Sequence, residues 1–335
     1  MSRMRRAALL ALLVLAPLPA AGGTGDDPTA AALAFLASRQ QADGTFQGAP
    51  ATNVVEAAAQ AGADPRAWPS PDRPAWDALA PYGRDDVERY NSRLRLAHAV
   101  SVAGYDARDV KGEDHVAAVW AGYDGVQFGS PATVNDDAWA ILALHAAGED
   151  MGDARDRALA QLETGRALDG GWSFSRASTR GTADVTGMVL VAKRVAAGAP
   201  VEDARARAAL DASRDPATGG HDDGFGRANC QSTVWAVHGY AAMGLAPPAD
   251  AMAYLASLRN ADGGYASAPG RASDAWCTAE VVVLLSGAGY PYPRYHPGRL
   301  DLPAARAGEP ATLRVGAPFT RASWRVGDAA LEGAT

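Results

Sequence analysis

Apolar residues along the chain come in two alternating kinds of run. In the first kind, apolar positions recur at helical spacing with charges between them, as in DPTAAALAFLASRQ (27–40), MGDARDRALAQLETG (151–165), VEDARARAALDAS (201–213) and PADAMAYLASLRN (248–260). In the second kind, such as NDDAWAILALHAAG and DAWCTAEVVVLLSGAG, nearly every position is apolar or small. A helix with a charged face lies at a surface and one that is apolar all round is buried, so each unit predicts an outer helix followed by an inner one. The connection is a glycine turn, seen in ADGTF (42–46), LDGGWSF (168–174), HDDGFG (221–226) and ADGGYAS (261–267).

The inner runs stop at Gly62, Gly104, Gly148, Gly198, Gly244 and Gly289, at intervals of 42, 44, 50, 46 and 45 residues. A fixed period of this length predicts a repeat architecture, since each unit buries its apolar face only against its neighbours. Six outer–inner pairs predict an all-α fold, an α/α toroid with an inner ring of helices wrapped by an outer one. The pairs at 71–105 and 112–148 are the least regular, and an open solenoid is the alternative if one of them is misread. In the turns, Gly170, Gly171, Gly263 and Gly264 permit a tight reversal while Asp169 and Asp262 accept backbone N–H bonds. Phe46, Trp172, Phe225 and Tyr265 are expected to wedge between helix pairs.

Both ends of the chain depart from this pattern. Arg3, Arg5 and Arg6 precede an apolar stretch from Ala7 to Ala16, followed by Pro17, Pro19 and small residues, the order of a secretory signal peptide. Cleavage is expected after about residue 21, giving a secreted, extracytoplasmic protein with no transmembrane segment. Beyond Gly289, PYPRYHPGRLDLP ends the helical array, and EPATLRVG and ASWRVGDAALEG alternate like short strands. The expected organisation is therefore a signal peptide (1–21), the toroid (22–290) and a proline-rich linker with a partial β module (291–335).

FLASRQQADGTF, ALDGGWSF and LRNADGGYAS together resemble the prenyltransferase and squalene cyclase repeat, found in triterpene cyclases, protein prenyltransferase β subunits and secreted prokaryotic proteins. The resemblance covers most of residues 27–290 and implies the same six-pair toroid. It says less about activity, because one fold hosts enzymes, carriers and scaffolds. In triterpene cyclases the resemblance points to an Asp-rich motif opening an inner helix, whose middle Asp is a strong general acid. TVNDDAWAILAL places Asn135 or Asp136 at that position and TADVTGMVL places Asp184 there, each without the full set of acids. Asp184 and Asp136 are thus candidate acids, with capping of an inner helix as the competing role for Asp136, Asp137 and Asp184. Prenyltransferases instead hold zinc with Asp, Cys and His; here the corresponding positions read Ala228, Cys230 and Cys277, so no metal and no cofactor is implied.

Cys230 and Cys277 are the only cysteines, 47 residues apart, which is one repeat. Equivalent positions of consecutive repeats stack side by side, so the thiols are expected to be neighbours and, in an oxidising compartment, a disulfide. A two-thiolate metal site and two unlinked thiols are the alternatives. His221, Asp222 and Asp223 cluster in a turn where solvation is the ordinary outcome, and His145 and His238 sit on apolar helices as expected core residues.

Composition narrows the partners. With 48% hydrophobic residues there is material for a large core, and a formal charge of −7 disfavours nucleic acid and anionic membranes. The inner-helix residues Trp139, Met188, Trp235, Tyr240 and Trp276 are expected to line a central cavity for an apolar or isoprenoid-like ligand, or the rim to meet a surface protein partner. On this reading the protein is a secreted, non-catalytic toroid. A terpene-cyclase-like enzyme is the second reading, and a carbohydrate-active toroid the third, drawing two carboxylates from Asp136, Asp137, Asp184 and Glu280.

Overall fold

The computed structural model describes residues 27–83 and 85–286 together with two strands at 323–326 and 329–332. Eleven α-helices make up most of it: α1 (Pro28–Ser38), α2 (Ala51–Gln60), α3 (Asp86–Val102), α4 (His115–Trp120), α5 (Asn135–Ala146), α6 (Gly152–Thr164), α7 (Ala183–Ala197), α8 (Ala204–Ser213), α9 (Cys230–Ala242), α10 (Ala249–Ser257) and α11 (Ala275–Leu285). The expected amphipathic helices are α1, α6, α8 and α10, and the apolar ones include α5, α7, α9 and α11. The irregular second unit, in place of a full outer helix, has a small hairpin, β1 (Pro69–Ser70) with β2 (Arg73–Pro74), and a 3₁₀ turn at Ala75–Ala78. A second small hairpin pairs β3 (Tyr265–Ala266) with β4 (Ser273–Asp274).

Burial separates the two kinds of helix. In α7 every residue from Val185 to Ala192 is buried, whereas α8 buries only Ala206, Leu210 and Ser213. The helix starts follow local capping chemistry. Asp203 accepts from the Ala206 N–H ahead of α8, Asn229 from Ser232 ahead of α9, and Asp274 from Cys277 ahead of α11. Gly198 ends α7 in the left-handed conformation at φ 64°, where a Cβ would be strained.

Apolar helices pack in succession, α2 on α3, α3 on α5, α5 on α7, α7 on α9 and α9 on α11, and α11 packs in turn on α2 and α1. The architecture is thus mostly helical and α/α-toroid-like. Helices α7 and α9 approach tightly: Gly187 faces the Trp235 backbone, where an added Cβ would run into the Trp235 carbonyl. A Cβ on Gly239 would likewise come within 3.0 Å of the Gly187 Cα. Two glycines facing each other set this spacing. Toward the C-terminus, β5 (Ser323–Val326) and β6 (Ala329–Glu332) form an antiparallel hairpin. The expected strand in EPATLRVG and the expected signal peptide lie outside the described residues.

Candidate functional site

The glycine turns and the inner helices are tied together by one recurring bond. The backbone N–H of Trp172 donates to Thr186 Oγ1 (3.0 Å), that of His221 to Thr233 Oγ1 (2.9 Å) and that of Tyr265 to Thr278 Oγ1 (2.8 Å). In α5 a carboxylate does the same work, Asp137 Oδ1 accepting from Phe128 N–H at 2.8 Å. Trp172 and Phe128 are fully buried, and Phe46 and Tyr265 nearly so, as expected of wedges.

Phe225 is not one of them. It is 89% exposed, and the wedge of its unit is His221, 0% exposed, with Nδ1 2.9 Å from Ser213 Oγ. The pairing of Arg214 with His221 repeats that of Arg166 with Trp172 and of Arg259 with Tyr265. The turn of this unit is therefore Gly219-Gly220-His221, upstream of the DDGF motif that resembles the others in sequence. His221 is accordingly a core residue rather than part of a solvated cluster, and burial lowers its pKa to about 4.

Counting from the turn-binding residue fixes the register of the inner helices. Two residues on stand Trp139, Met188, Trp235 and Glu280, in α5, α7, α9 and α11 respectively. Three of these four, Trp139, Trp235 and Glu280, line one cavity together with Asn53 and Glu56 of α2, Arg95 of α3 and His238 of α9. Five of the apolar helices thus contribute to one site. Its interior is aromatic: Trp139 meets Trp235 edge to face at 5.8 Å and His98 at 5.4 Å, while Trp235 meets His238 at 5.7 Å. The Arg95 guanidinium lies 4.5 Å from the Trp139 ring centre and 5.9 Å from that of Trp276. In this arrangement the free volume is about 20 Å³, room for about one water molecule.

Two carboxylates face this space. Glu280 is 8% exposed, and its Oε1 accepts from Trp276 Nε1 at 2.8 Å and from Gln231 Nε2 at 3.5 Å. Its Oε2 is buried and has no hydrogen-bond partner among the described residues, as is the Trp139 Nε1 donor. Burial raises Glu280 to about 7, against the opposing pull of Trp276 and Arg95. Glu56, 9% exposed, stands with Oε2 3.6 Å from His98 Nδ1. Burial pushes His238 down to about 4, so its ring is neutral at neutral pH.

The other predicted site residues lie elsewhere. Asp136 is buried and accepts from Ser130 N–H (2.9 Å), Thr133 Oγ1 (3.1 Å) and Asn91 Nδ2 (3.3 Å). Asp137 is shared between Phe128 and an ion pair with Arg176. Burial raises both, Asp137 to about 6, but their oxygens are committed to holding the turn before α5. Asp184 is half-buried in the first turn of α7, outside the cavity lining, with a buried Oδ1 that has no hydrogen-bond partner among the described residues. Met188 is buried in the core, and Tyr240 turns toward α8, its hydroxyl donating to Asp211 at 2.7 Å. Trp276 borders the cavity through Glu280 and Arg95.

Cys230 and Cys277 are neighbours, as their spacing predicts, but they are not bonded. Both are free and buried, and the pair stands at 3.9 Å, well beyond the S–S bond length of about 2.05 Å. The Cys230 thiol approaches the Cys277 carbonyl at 4.0 Å instead, and the adjacent Cys230 thiol together with burial raises the Cys277 thiol far above the usual range. The expected disulfide is therefore replaced by two packed thiols. Among the described residues no group of three or more His, Cys, Asp or Glu side chains is placed to hold a metal ion. No helix among them is long and apolar enough to cross a membrane.

Glu56, Arg95 and His98 are the site residues that sequence reasoning missed. They come from the first two units, where the turn-and-threonine signal that fixes register is weakest. Glu280, by contrast, is readable from its position two residues after Thr278.

No protein-family model and no curated protein matches the sequence. Among solved structures, the fold is similar to that of a glycosidase in complex with glucose, at 14% identity and a TM-score of 0.50, over 78% of this chain and 96% of that one. A second variant described as a glycosidase gives the same identity, coverage and TM-score. The type II terpene cyclase MstE from Scytonema aligns over 78% of this chain and 97% of its own, at 12% identity and a TM-score of 0.32. At these identities the likeness is one of fold alone, an α/α-toroid-like helical architecture.

Proposed function

We propose that the six apolar helices close a ring and that the cavity among them is the active site of a glycoside hydrolase, secreted if residues 1–21 act as a signal peptide. The observation that carries this reading is the cavity's content: two buried carboxylates, Glu56 and Glu280, facing one space walled by tryptophan. Indole faces stack on the apolar faces of sugar rings, while carboxylates perform both proton transfers of glycosidic hydrolysis. The likeness in fold to glycosidases agrees with it.

The two carboxylates take different roles. Glu280, whose Oε1 accepts from Trp276 and Gln231, is raised by burial to about 7, so it can give up a proton near neutral pH. It is the general acid, protonating the departing glycosidic oxygen. Glu56 is the second carboxylate, taking the proton of the water that adds to the anomeric carbon, with His98 beside it. Water is consumed, one sugar gains the hydroxyl and the other keeps the protonated oxygen, so each carboxylate returns to its starting state after the proton is exchanged with solvent.

The non-catalytic reading draws on the signal peptide, the repeats and the incomplete motifs at Asp136, Asp184 and Cys230, and none of these three residues lines the cavity. An apolar or isoprenoid-like ligand would offer the Arg95 guanidinium no acceptor in exchange for the water it displaces, which disfavours that reading. Asp184 does not line the cavity and is therefore a weaker candidate acid than Glu280.

The test is release of reducing ends from a panel of labelled oligosaccharides by the purified chain. Turnover by the wild type that falls by about 100-fold or more in each of Glu280→Gln and Glu56→Gln supports the assignment. Turnover that survives both substitutions, or saccharide binding with no hydrolysis of any panel member, refutes it.

A further inference from the structure

Among the described residues Arg95 is the one cation in the cavity lining, and the arrangement around it is unusual for a guanidinium beside two carboxylates. Its Nε donates to Asn91 Oδ1 at 3.2 Å, and its guanidinium carbon lies over the Trp139 ring at 4.5 Å and farther from that of Trp276, at 5.9 Å. Among the described residues no carboxylate stands within 4.0 Å of it, neither Glu56 nor Glu280 included. The two terminal nitrogens, which form the fork that matches a carboxylate, have no hydrogen-bond or ion-pair partner among the described residues.

We infer that Arg95 selects for substrate charge, so that the sugar taken by this site carries a carboxylate, as a uronic acid does. This rests on the glycoside hydrolase reading above and adds the substrate class to it. With Arg95 over Trp139 the cavity has room for about one water, so a sugar ring can stack on Trp139 only by displacing the guanidinium. A neutral sugar replaces the cation–π contact with a stacking contact and leaves the charge facing the apolar wall. A uronate replaces it and also supplies a bidentate, charge-assisted partner for the displaced fork. Glu280, protonated near neutral pH, adds no repulsion to the incoming anion.

The experiment is equilibrium binding read by intrinsic tryptophan fluorescence, with glucuronate and galacturonate compared with glucose and galactose on the intact chain at pH 6. The expected result is at least tenfold tighter binding of the uronates, reduced to within twofold of the neutral sugars in Arg95→Gln. Arg95→Lys, which keeps the charge but not the fork, should fall between them. Equal or tighter binding of the neutral sugars by the wild type overturns the charge selection while leaving the saccharide reading standing. A uronate preference that persists in Arg95→Gln overturns the role of Arg95. Absence of binding by either class counts against the saccharide site itself, and the inference falls with it.

Discussion

Glu280→Gln should make the protein more stable at alkaline pH, even though it removes the proposed acid. Burial raises this carboxyl from 4.5 to about 7, despite the donors and the cation around it. Between those values the folded chain holds a proton that the unfolded chain has released, so the folded state binds more protons and stability falls as pH rises. Below pH 4.5 both states are protonated and there is no penalty. Above pH 7 the penalty is complete, and at about 1.4 kcal/mol per pKa unit it amounts to roughly 3 kcal/mol. Glutamine has nearly the same shape, keeps an acceptor for Trp276 Nε1 and carries no charge to desolvate. Urea unfolding of both proteins should therefore show the variant about 3 kcal/mol more stable at pH 8 and nearly equal at pH 4. A difference of the same size at both pH values would refute the claim that burial holds the proton on Glu280. In the wild type, hydrolysis should decline as pH rises through about 7, as the acid is lost.

Three further outcomes test the packing that positions the site. Trp172→Ala should cost about 3–5 kcal/mol in denaturant unfolding, because the ring is fully buried and its Nε1 bonds the Leu162 carbonyl, whereas Phe225→Ser should change stability by no more than about 0.5 kcal/mol. Gly187→Ala should destabilise by about 1–3 kcal/mol and lower the thermal midpoint, since α9 offers backbone rather than a movable side chain at the point of contact. Asp203→Ala should cost on the order of 2 kcal/mol at pH 7, because it removes the cap on the Ala206 N–H and the more buried of the two carboxylates that Arg166 and Lys193 share, at 2.6 and 3.0 Å, leaving them Glu163. Burial opposes the ionised form of Asp203, but Arg166, the Ala206 N–H and Lys193 prevail and hold it near 2. Its contribution is therefore full above about pH 4 and should disappear as pH falls through about 2, so the wild-type advantage should shrink over that range.

Much of this molecule is legible along the chain. The alternation of charged-face and all-apolar helices follows from how much surface each must hide, and α5, α6, α7, α8, α9, α10 and α11 fall where that pattern puts them. The stop at Gly198 and the carboxylates of Asp169 and Asp262 in their turns follow from local backbone chemistry that needs no distant partner. Once the register is counted from Thr186, Thr233 and Thr278, even the placement of Trp235 and Glu280 in one layer can be read from sequence.

What the chain alone left open are the matters in which residues far apart in sequence compete for one place. DDGF looks like the other turns, yet Gly219-Gly220-His221 takes the turn: Thr233 accepts the His221 backbone N–H, the Ser213 hydroxyl meets its buried ring, and Phe225 stays 89% exposed. The acids that resemble a catalytic motif, Asp136 and Asp137, are drawn off by backbone N–H groups, Asn91 and Arg176, a demand visible only in three dimensions. Spacing brings Cys230 beside Cys277, but the remaining distance between the sulfurs is set by how α9 and α11 pack. The proposed chemistry depends most of all on tertiary structure: Glu56 and Arg95 carry no motif, and they share one space with Glu280 because the last apolar helix packs against the first.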